Sequence, residues 1–433
     1  MESKNGNGTK KFLIISLEAC SSDLAWQLKK EGNEVKYCIL DKTQKDIADE
    51  FVDKVDNWEQ HKDWADIIIF DDVGFGALAD KLRKEGKKVV GGSTYTDKLE
   101  DDRDFGQEEL KKVGVNILPH WDFTDFDEAI KFVKENPSRY VLKPSGKAQN
   151  EKELLVVGQE EDGKDIIQIL EHYKQSWARK IKTFQLQKYA SGVEVAVGAY
   201  FNGEEFITPI NINFEHKRMF PGEIGPSTGE MGTFSYWCDN NTIFQQTLQK
   251  MKPMLTQSGY SGYVDINCIA NARGIYPLEF TTRFGYPTIS LHMEGIQSKW
   301  SDFLYAMATK QKFELKTKKG FQVCVVIACP PFPFDDPAAF KRYSEEATIL
   351  FKKPILDGVH IGDVKQVNSD WKLAGNSGYA LVITGSGNTA EEARKQVYTR
   401  VKNIMIPNMF YRTDIGIRWY TDSDKLQTWG YLY

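Results

Sequence analysis

From Lys11 onward, apolar and polar positions alternate in blocks. KFLIIS is a continuous apolar run, CSSDLAWQLKKEG has helical spacing and stops at Gly32, and EVKYCIL is apolar again. WADIIIF, the helical DVGFGALADKLRKEG ending in Gly86, and KKVVGG repeat the alternation. Apolar runs separated by amphipathic helices predict a doubly wound parallel sheet, placed at residues 10–100. DRDFGQEELKKVGV and DFDEAIKFVKEN then predict helices, and RYVLKP a strand. The middle of the chain is strand-rich: TFQLQKY, VEVAVGAYFNGEEFI and YVDINCIANARGIYPLEFTTRF, with hairpin turns at Asn202-Gly203 and Ala272–Gly274. From about Gly320, FQVCVVIACP, YALVITGSGN and the helical TAEEARKQVYTRVKNI predict a separate small α+β domain. The fold class expected is therefore α/β and α+β.

At 433 residues the chain exceeds one ordinary core, so several domains are expected. A hydrophobic fraction of 41% and a mean hydropathy of −0.47 supply cores without any run long enough to span a membrane. The polar MESKNGNGTKK before a short apolar run is read as a frayed tail rather than a signal peptide. Six cysteines, at 20, 38, 238, 268, 324 and 329, form neither a zinc pattern nor a disulfide framework. A reducing, cytoplasmic setting is expected. A net charge of −5 leaves no basic footprint for nucleic acid.

The candidate chemistry lies in the middle strands. Asp265 and Glu279 sit at comparable distances from one hairpin turn, so antiparallel pairing is expected to place them side by side. Adjacent carboxylates repel unless a cation or a shared proton joins them, and hard oxygen ligands on a rigid sheet suit magnesium beside nucleotide phosphates. Solvated hairpin charges are the alternative. Arg283, near the same strand end, can hold a phosphate bidentately. Lys143 ends an apolar strand and opens a polar loop where it could meet phosphates, with Lys147 or Lys152 helping, or stand as an ordinary exposed lysine. Glu194 follows a strand and a glycine, where a carboxylate can accept from ribose hydroxyls. HKRMFPGEIGPSTGEMGTFS reads as a long glycine-rich loop able to present backbone amides to an anion.

At these residues the chain resembles the ATP-grasp ligases, and among them the glycinamide ribonucleotide synthetases (phosphoribosylamine–glycine ligases). HKR…GPSTGEMG is similar to that family's HKR…GPNTGGMG, and LEFTTRFGYP to its EFNCRFGDPE. YRTDIGIRW resembles CRKDIGWRA, NSGYALVITGSGNTAEEARKQVY resembles its C-terminal-domain run, and VVGGSTYTDKLEDDRDF matches the stretch leading into its central domain. The resemblance implies a substrate-side domain at 10–100, an ATP-grasp core at 101–318 with a lid at about 125–190, and a C-terminal α+β domain at 319–433. It implies that ATP activates a carboxylate to an acyl phosphate, which an amine then attacks, as in purine biosynthesis.

By the same resemblance Asp265, Glu279 and Thr281 would carry Mg2+, with Mn2+ as a substitute. Lys143, Lys152 and Arg103 would hold nucleotide phosphates, Glu194 the ribose, and Gln187–Tyr189 the adenine. Arg283, with Lys143, would act on the transferred phosphoryl group. His216, Lys217, Arg218, Pro226, Ser227, Thr228, Gly229, Met231, Gly232 and Tyr286 would border the substrates, a small-molecule acid and an amine. No membrane is implied, and the expected state is a monomer or small homo-oligomer.

The departures fall mainly on the substrate side. SLEACSSDLAW stands where the family has GNGGREHAL, Thr281 where it has asparagine, and Tyr286-Pro287-Thr288 where it has DPE. Arg103 replaces a lysine, KAQNEKE replaces a glycine-rich loop, and Gln187 and Lys188 replace two glutamates. Two classes follow: an active ligase with an altered acid or amine, and a non-catalytic relative that binds nucleotide or a partner. Persistence of Asp265, Glu279, Lys143 and Arg283 favours the first.

Overall fold

The structure, a computed structural model, describes residues 8–145, 154–176 and 181–432. Five strands, β1 (Lys11–Ser16), β2 (Glu34–Ile39), β3 (Asp53–Lys54), β4 (Ile67–Phe70) and β5 (Val89–Val90), form a parallel sheet in the order β3-β2-β1-β4-β5. The central strands β1 and β4 are apolar along nearly their whole length because both faces are covered, whereas the edge strand β3 is Asp53-Lys54. Phe12 and Ile14 share a core with Leu24 and Leu28 of α1 (Ser22–Lys30). Leu13 and Ile15 meet Ala79 and Leu82 of α2 (Gly76–Lys84) on the opposite face. Helices α3 (Thr94–Asp101) and α4 (Arg103–Lys112) lead out of this domain, each begun by a capping side chain, Ser93 and Asp102.

A four-stranded antiparallel sheet follows, ordered β6-β9-β7-β8 from β6 (His120–Phe123), β7 (Tyr140–Pro144), β8 (Val156–Val157) and β9 (Phe184–Lys188). Helices α5 (Phe126–Glu135) and α6 (Lys164–Ser176) pack on it around Val133, Tyr140, Ile166, Leu170 and Leu186, a core of its own. Neither β6 nor α6 was expected from the hydrophobic pattern. The outer strand β6 exposes its middle residues Trp121 and Asp122, so it carries almost no apolar signal.

The large sheet is antiparallel and eight-stranded. It begins β16-β15-β10-β11-β14-β17, from β10 (Val193–Phe201), β11 (Phe206–Glu215), β14 (Gly232–Cys238), β15 (Gly262–Asn271), β16 (Gly274–Thr281) and β17 (Phe321–Ala328). It is completed by strands Tyr379–Gly387 and Val359–Ile361. The C-terminal segment is α+β as expected, but its strands extend the central sheet instead of standing apart. β14 would otherwise present a bare edge, and β17 pairs with it from Gly232↔Val325 to Tyr236↔Phe321. The glycine-rich stretch after His216 is a hairpin ribbon rather than an irregular loop, made of β12 (Arg218–Phe220) and β13 (Ile224–Ser227). The six cysteines stand as free thiols. Among the described residues no helix is long and apolar enough to cross a membrane.

Candidate active site

The β15–β16 hairpin turns at Ala272-Arg273 as its sequence requires, but a bulge between Asn267 and Cys268 resets the register. Asp265 lies opposite Thr281, and Asn267 lies opposite Glu279. The two carboxylates expected side by side are therefore diagonal, with Asn267 in the place assigned to Asp265. Asp265 is almost wholly buried and accepts from Tyr263 OH (3.0 Å) and Asn213 Nδ2 (3.2 Å) through Oδ2. Burial, reinforced by Glu215, pushes its pKa up to about 8. Asn267 donates its Nδ2 to Glu215 Oε2 at 2.9 Å, while its buried Oδ1 has no partner among the described residues. An orphaned carbonyl oxygen beside Glu279 is what a hard cation would satisfy.

Lys217 leads into the ribbon from β11 and brings its ammonium to three carboxylates: Glu194 at 3.0 Å, Glu279 at 3.1 Å and Glu215 at 3.4 Å. Burial opposes that charge, but Glu194, Glu279 and Glu215 outweigh it and hold its pKa well above the usual lysine value. In return Lys217, and behind it Lys143, lower Glu279 to about 2. The Glu279 side chain is 53% exposed, so solvent screens much of this attraction.

The small sheet supplies the opposing wall. Lys143 in β7 is buried, and burial together with neighbouring Arg103 lowers its pKa to about 7. Arg103, the first residue of α4, donates from Nη1 to the Pro144 carbonyl at 2.9 Å. Lys143 in turn feels the opposing charges of Glu279 and Glu194. Lys143 of the small sheet and Arg103 at the start of α4 thus lie within electrostatic reach of Glu279 of the large sheet.

Other expected site residues divide by burial. Tyr189 donates its backbone N–H to Arg139 O at 3.0 Å, and its ring lies 3.6 Å from the Arg139 guanidinium. Gln187 is buried in β9, its Nε2 without a partner among the described residues. Lys152 and Lys147 lie outside the described residues. Thr228 binds Lys217 O through both N and Oγ1, Gly229 adopts φ +81°, Arg218 donates to Gly225 O, and Pro226-Ser227 complete the ribbon.

Three residues assigned to the substrate border are buried in packing instead. His216 is enclosed and its Nε2 accepts from the Gly416 amide; burial, with Arg418 and Arg412 nearby, drops its pKa to about 3. Met231 is fully buried. Gly232 lets β14 approach β17, since a Cβ there would stand 2.4 Å from Cys324 O.

Arg283 does not reach toward Glu279. Its Nη2 pairs with Glu100 (3.1 Å), its Nε faces Asp72 (3.5 Å), and its Nη1 donates to Phe284 O. Tyr286 donates its hydroxyl to Asp71 O at 3.0 Å, so both residues meet the N-terminal domain.

Comparison with known proteins places the chain in a family. The family model for the phosphoribosylglycinamide synthetase ATP-grasp (A) domain matches residues 101–289, and that for the C domain of the same synthetase matches 322–418. The chain belongs to the ATP-grasp ligases related to phosphoribosylglycinamide synthetase. Curated relatives include phosphoribosylamine–glycine ligases of Listeria monocytogenes, 26% identical over 352 residues (79% of this chain, 81% of the relative), and Clostridium acetobutylicum, 25% identical over 350 residues (78% and 81%). The fold is shared with the solved phosphoribosylamine–glycine ligase of Thermotoga maritima (TM-score 0.68, 20% identity, 94% of this chain and 100% of that one). It is shared also with the biotin carboxylase domain of Hydrogenobacter thermophilus 2-oxoglutarate carboxylase, solved with MgADP and bicarbonate (TM-score 0.65, 13% identity, 98% and 96%).

One candidate residue escaped the sequence reading. Asn267 was visible two positions after Asp265, on the same strand face, but only the bulge places it against Glu279.

Proposed function

We propose that this protein is an ATP-dependent ligase that joins a carboxylate to an amine through an acyl phosphate, as the names of its curated relatives suggest for purine biosynthesis. One observation carries the reading: Lys143 on the small sheet and Arg103 at the start of α4 lie within electrostatic reach of Glu279 on the large sheet, which stands opposite Asn267. A polyphosphate fits between such walls, its oxygens toward the cations and its metal toward the oxygen ligands.

Among the described residues no group of three His, Cys, Asp or Glu is arranged to hold a metal alone. Magnesium shared with nucleotide phosphates needs only one or two protein oxygens, which Glu279 Oε and Asn267 Oδ1 offer. Bound there, it would neutralise phosphate charge. Thr281 and Asp265 stand behind this pair. Arg103 and Lys143 hold the phosphates of ATP, and Glu194 is placed for a ribose hydroxyl once Lys217 yields it.

In the first step a substrate carboxylate oxygen bonds to the γ-phosphorus and the β–γ bridging bond breaks, releasing ADP. In the second the amine nitrogen bonds to the acyl carbon, the carbon–oxygen bond to phosphate breaks, and the surplus proton passes to water. Buried charges aimed at a phosphoryl group stabilise its transfer more than solvated ones.

The test is magnesium-dependent ATP binding and ADP release across a panel of amino acids and amines, with glycine plus phosphoribosylamine as reference. Neither binding nor release with any pair would refute the ligase, leaving the non-catalytic reading.

A further inference from the structure

Lys217 stands at the meeting point of carboxylates from three strands. Its Nζ lies 3.0 Å from Glu194 of β10, 3.1 Å from Glu279 of β16 and 3.4 Å from Glu215 of β11. Glu215 in turn accepts from Asn267 Nδ2 at 2.9 Å. A single ammonium therefore binds Glu279, one side of the cation site, and Glu215, which holds Asn267 on the other side. It also binds Glu194, the carboxylate placed for the ribose.

The residue is pinned at its backbone and mobile beyond it. The Lys217 carbonyl accepts from Thr228 N (2.9 Å) and Thr228 Oγ1 (3.1 Å). Next to it, the His216 amide donates to Gly232 O (3.0 Å) and the His216 carbonyl accepts from Met231 N (2.8 Å). The Lys217 side chain is 30% exposed, and its flexible four-carbon stem can swing without disturbing that backbone. Lys143 lies within electrostatic reach of the same ammonium, so a swing need not take the charge away from the phosphate-holding group.

Two cations on one carboxylate disfavour each other. An ammonium shared by Glu279 and Glu194 thus opposes a metal at the first and a hydroxyl donor at the second, and its departure relieves both at once.

We propose that Lys217 is a positioning residue that couples the cation subsite to the ribose subsite, holding Glu279 and Glu194 together in the free protein and releasing them together. The proposal rests on the ligase reading. Whichever of metal or nucleoside binds first moves Lys217 and so spares the other that cost, a coupling that is reciprocal.

Mn2+ binding to the full chain is titrated by paramagnetic resonance with and without saturating adenosine, which carries a ribose but no phosphate to chelate the ion. Mg-ATP binding is measured on the same preparation. Adenosine is expected to tighten Mn2+ binding to the unaltered chain several-fold. Lys217→Met is expected to bind Mn2+ about tenfold more tightly without adenosine, the combined worth of three partly exposed ion pairs, and to lose the adenosine effect. Lys217→Arg keeps the charge and is expected to keep the coupling. A second measurement needs no variant: acetylation of Lys217 by acetic anhydride, followed by mass spectrometry, is expected to quicken when Mg2+ and adenosine are added together. Mn2+ affinity of the unaltered chain indifferent to adenosine, or acetylation indifferent to Mg2+ and adenosine, overturns the proposal, while Mg-ATP binding leaves the ligase standing. Coupling lost in Lys217→Met but seen in a chain that does not bind Mg-ATP supports the role of Lys217 and removes the ligase reading.

Discussion

Asn267 faces Glu279 across the β15–β16 ladder, its Nδ2 donated to Glu215 and its Oδ1 turned to no partner among the described residues. That pairing, rather than Asp265 with Glu279, defines the proposed cation site. Asn267→Ala and Glu279→Gln are each expected to weaken metal-dependent ATP binding by about tenfold or more, read by Mn2+ titration with paramagnetic resonance. Asp265→Asn is expected to cost less, because a carboxyl with a pKa near 8 is already protonated at neutral pH. The reverse ranking would return the metal to Asp265.

Lys217 is the counter-ion of three carboxylates in the absence of metal. Lys217→Met leaves Glu194, Glu215 and Glu279 repelling one another. The variant is expected to melt several degrees lower than the parent without divalent cation, and Mg2+ should restore more of the loss than it adds to the parent. Equal Mg2+ responses in thermal melts would contradict this.

The lowered pKa of Lys143, about 7, makes nucleotide binding a proton-linked event. Above pH 7 the free lysine is largely neutral, and bound phosphates favour its charged form, so binding takes up a proton at pH 8 and almost none below pH 6. Calorimetry in buffers of different ionisation enthalpy measures that uptake. Lys143→Met should abolish it.

Asp71 is raised to about 7, chiefly by burial. A folded pKa above the unfolded value means that its contribution is full below about pH 4 and is lost as pH rises through 7. Stability should therefore decline between about pH 4 and 7 and level off above, less steeply in Asp71→Asn, as urea midpoints would report.

Arg412 is fully buried and ties the ribbon to the C-terminal segment through Asp414 (2.8 Å), Glu223 (2.7 Å) and Arg218 O (2.9 Å). Arg412→Ala should destabilise the chain by about 3 kcal/mol, the low end for a broken buried pair, since Asp414 and Glu223 are partly solvated. Denaturant unfolding measures the loss.

Local pattern was enough for the parallel sheet. FLII of β1 and IIIF of β4 are apolar at every position because helices cover both faces, and continuous apolarity survives in one dimension. The β15–β16 turn and the resemblance to ATP-grasp ligases were equally legible. The outer strand β6 and the union of the C-terminal strands with the central sheet were not. Their hydrogen-bonding partners lie far along the chain, and an edge strand leaves little apolar trace. The site was decided at the same level. A single bulge moved the residue opposite Glu279 from Ile266 to Asn267, burial took His216 and Met231 out of the cleft, and Glu100 with Asp72 claimed Arg283. Sequence determined which charges this protein carries; register and burial, set by contacts between distant segments, decided which of them meet.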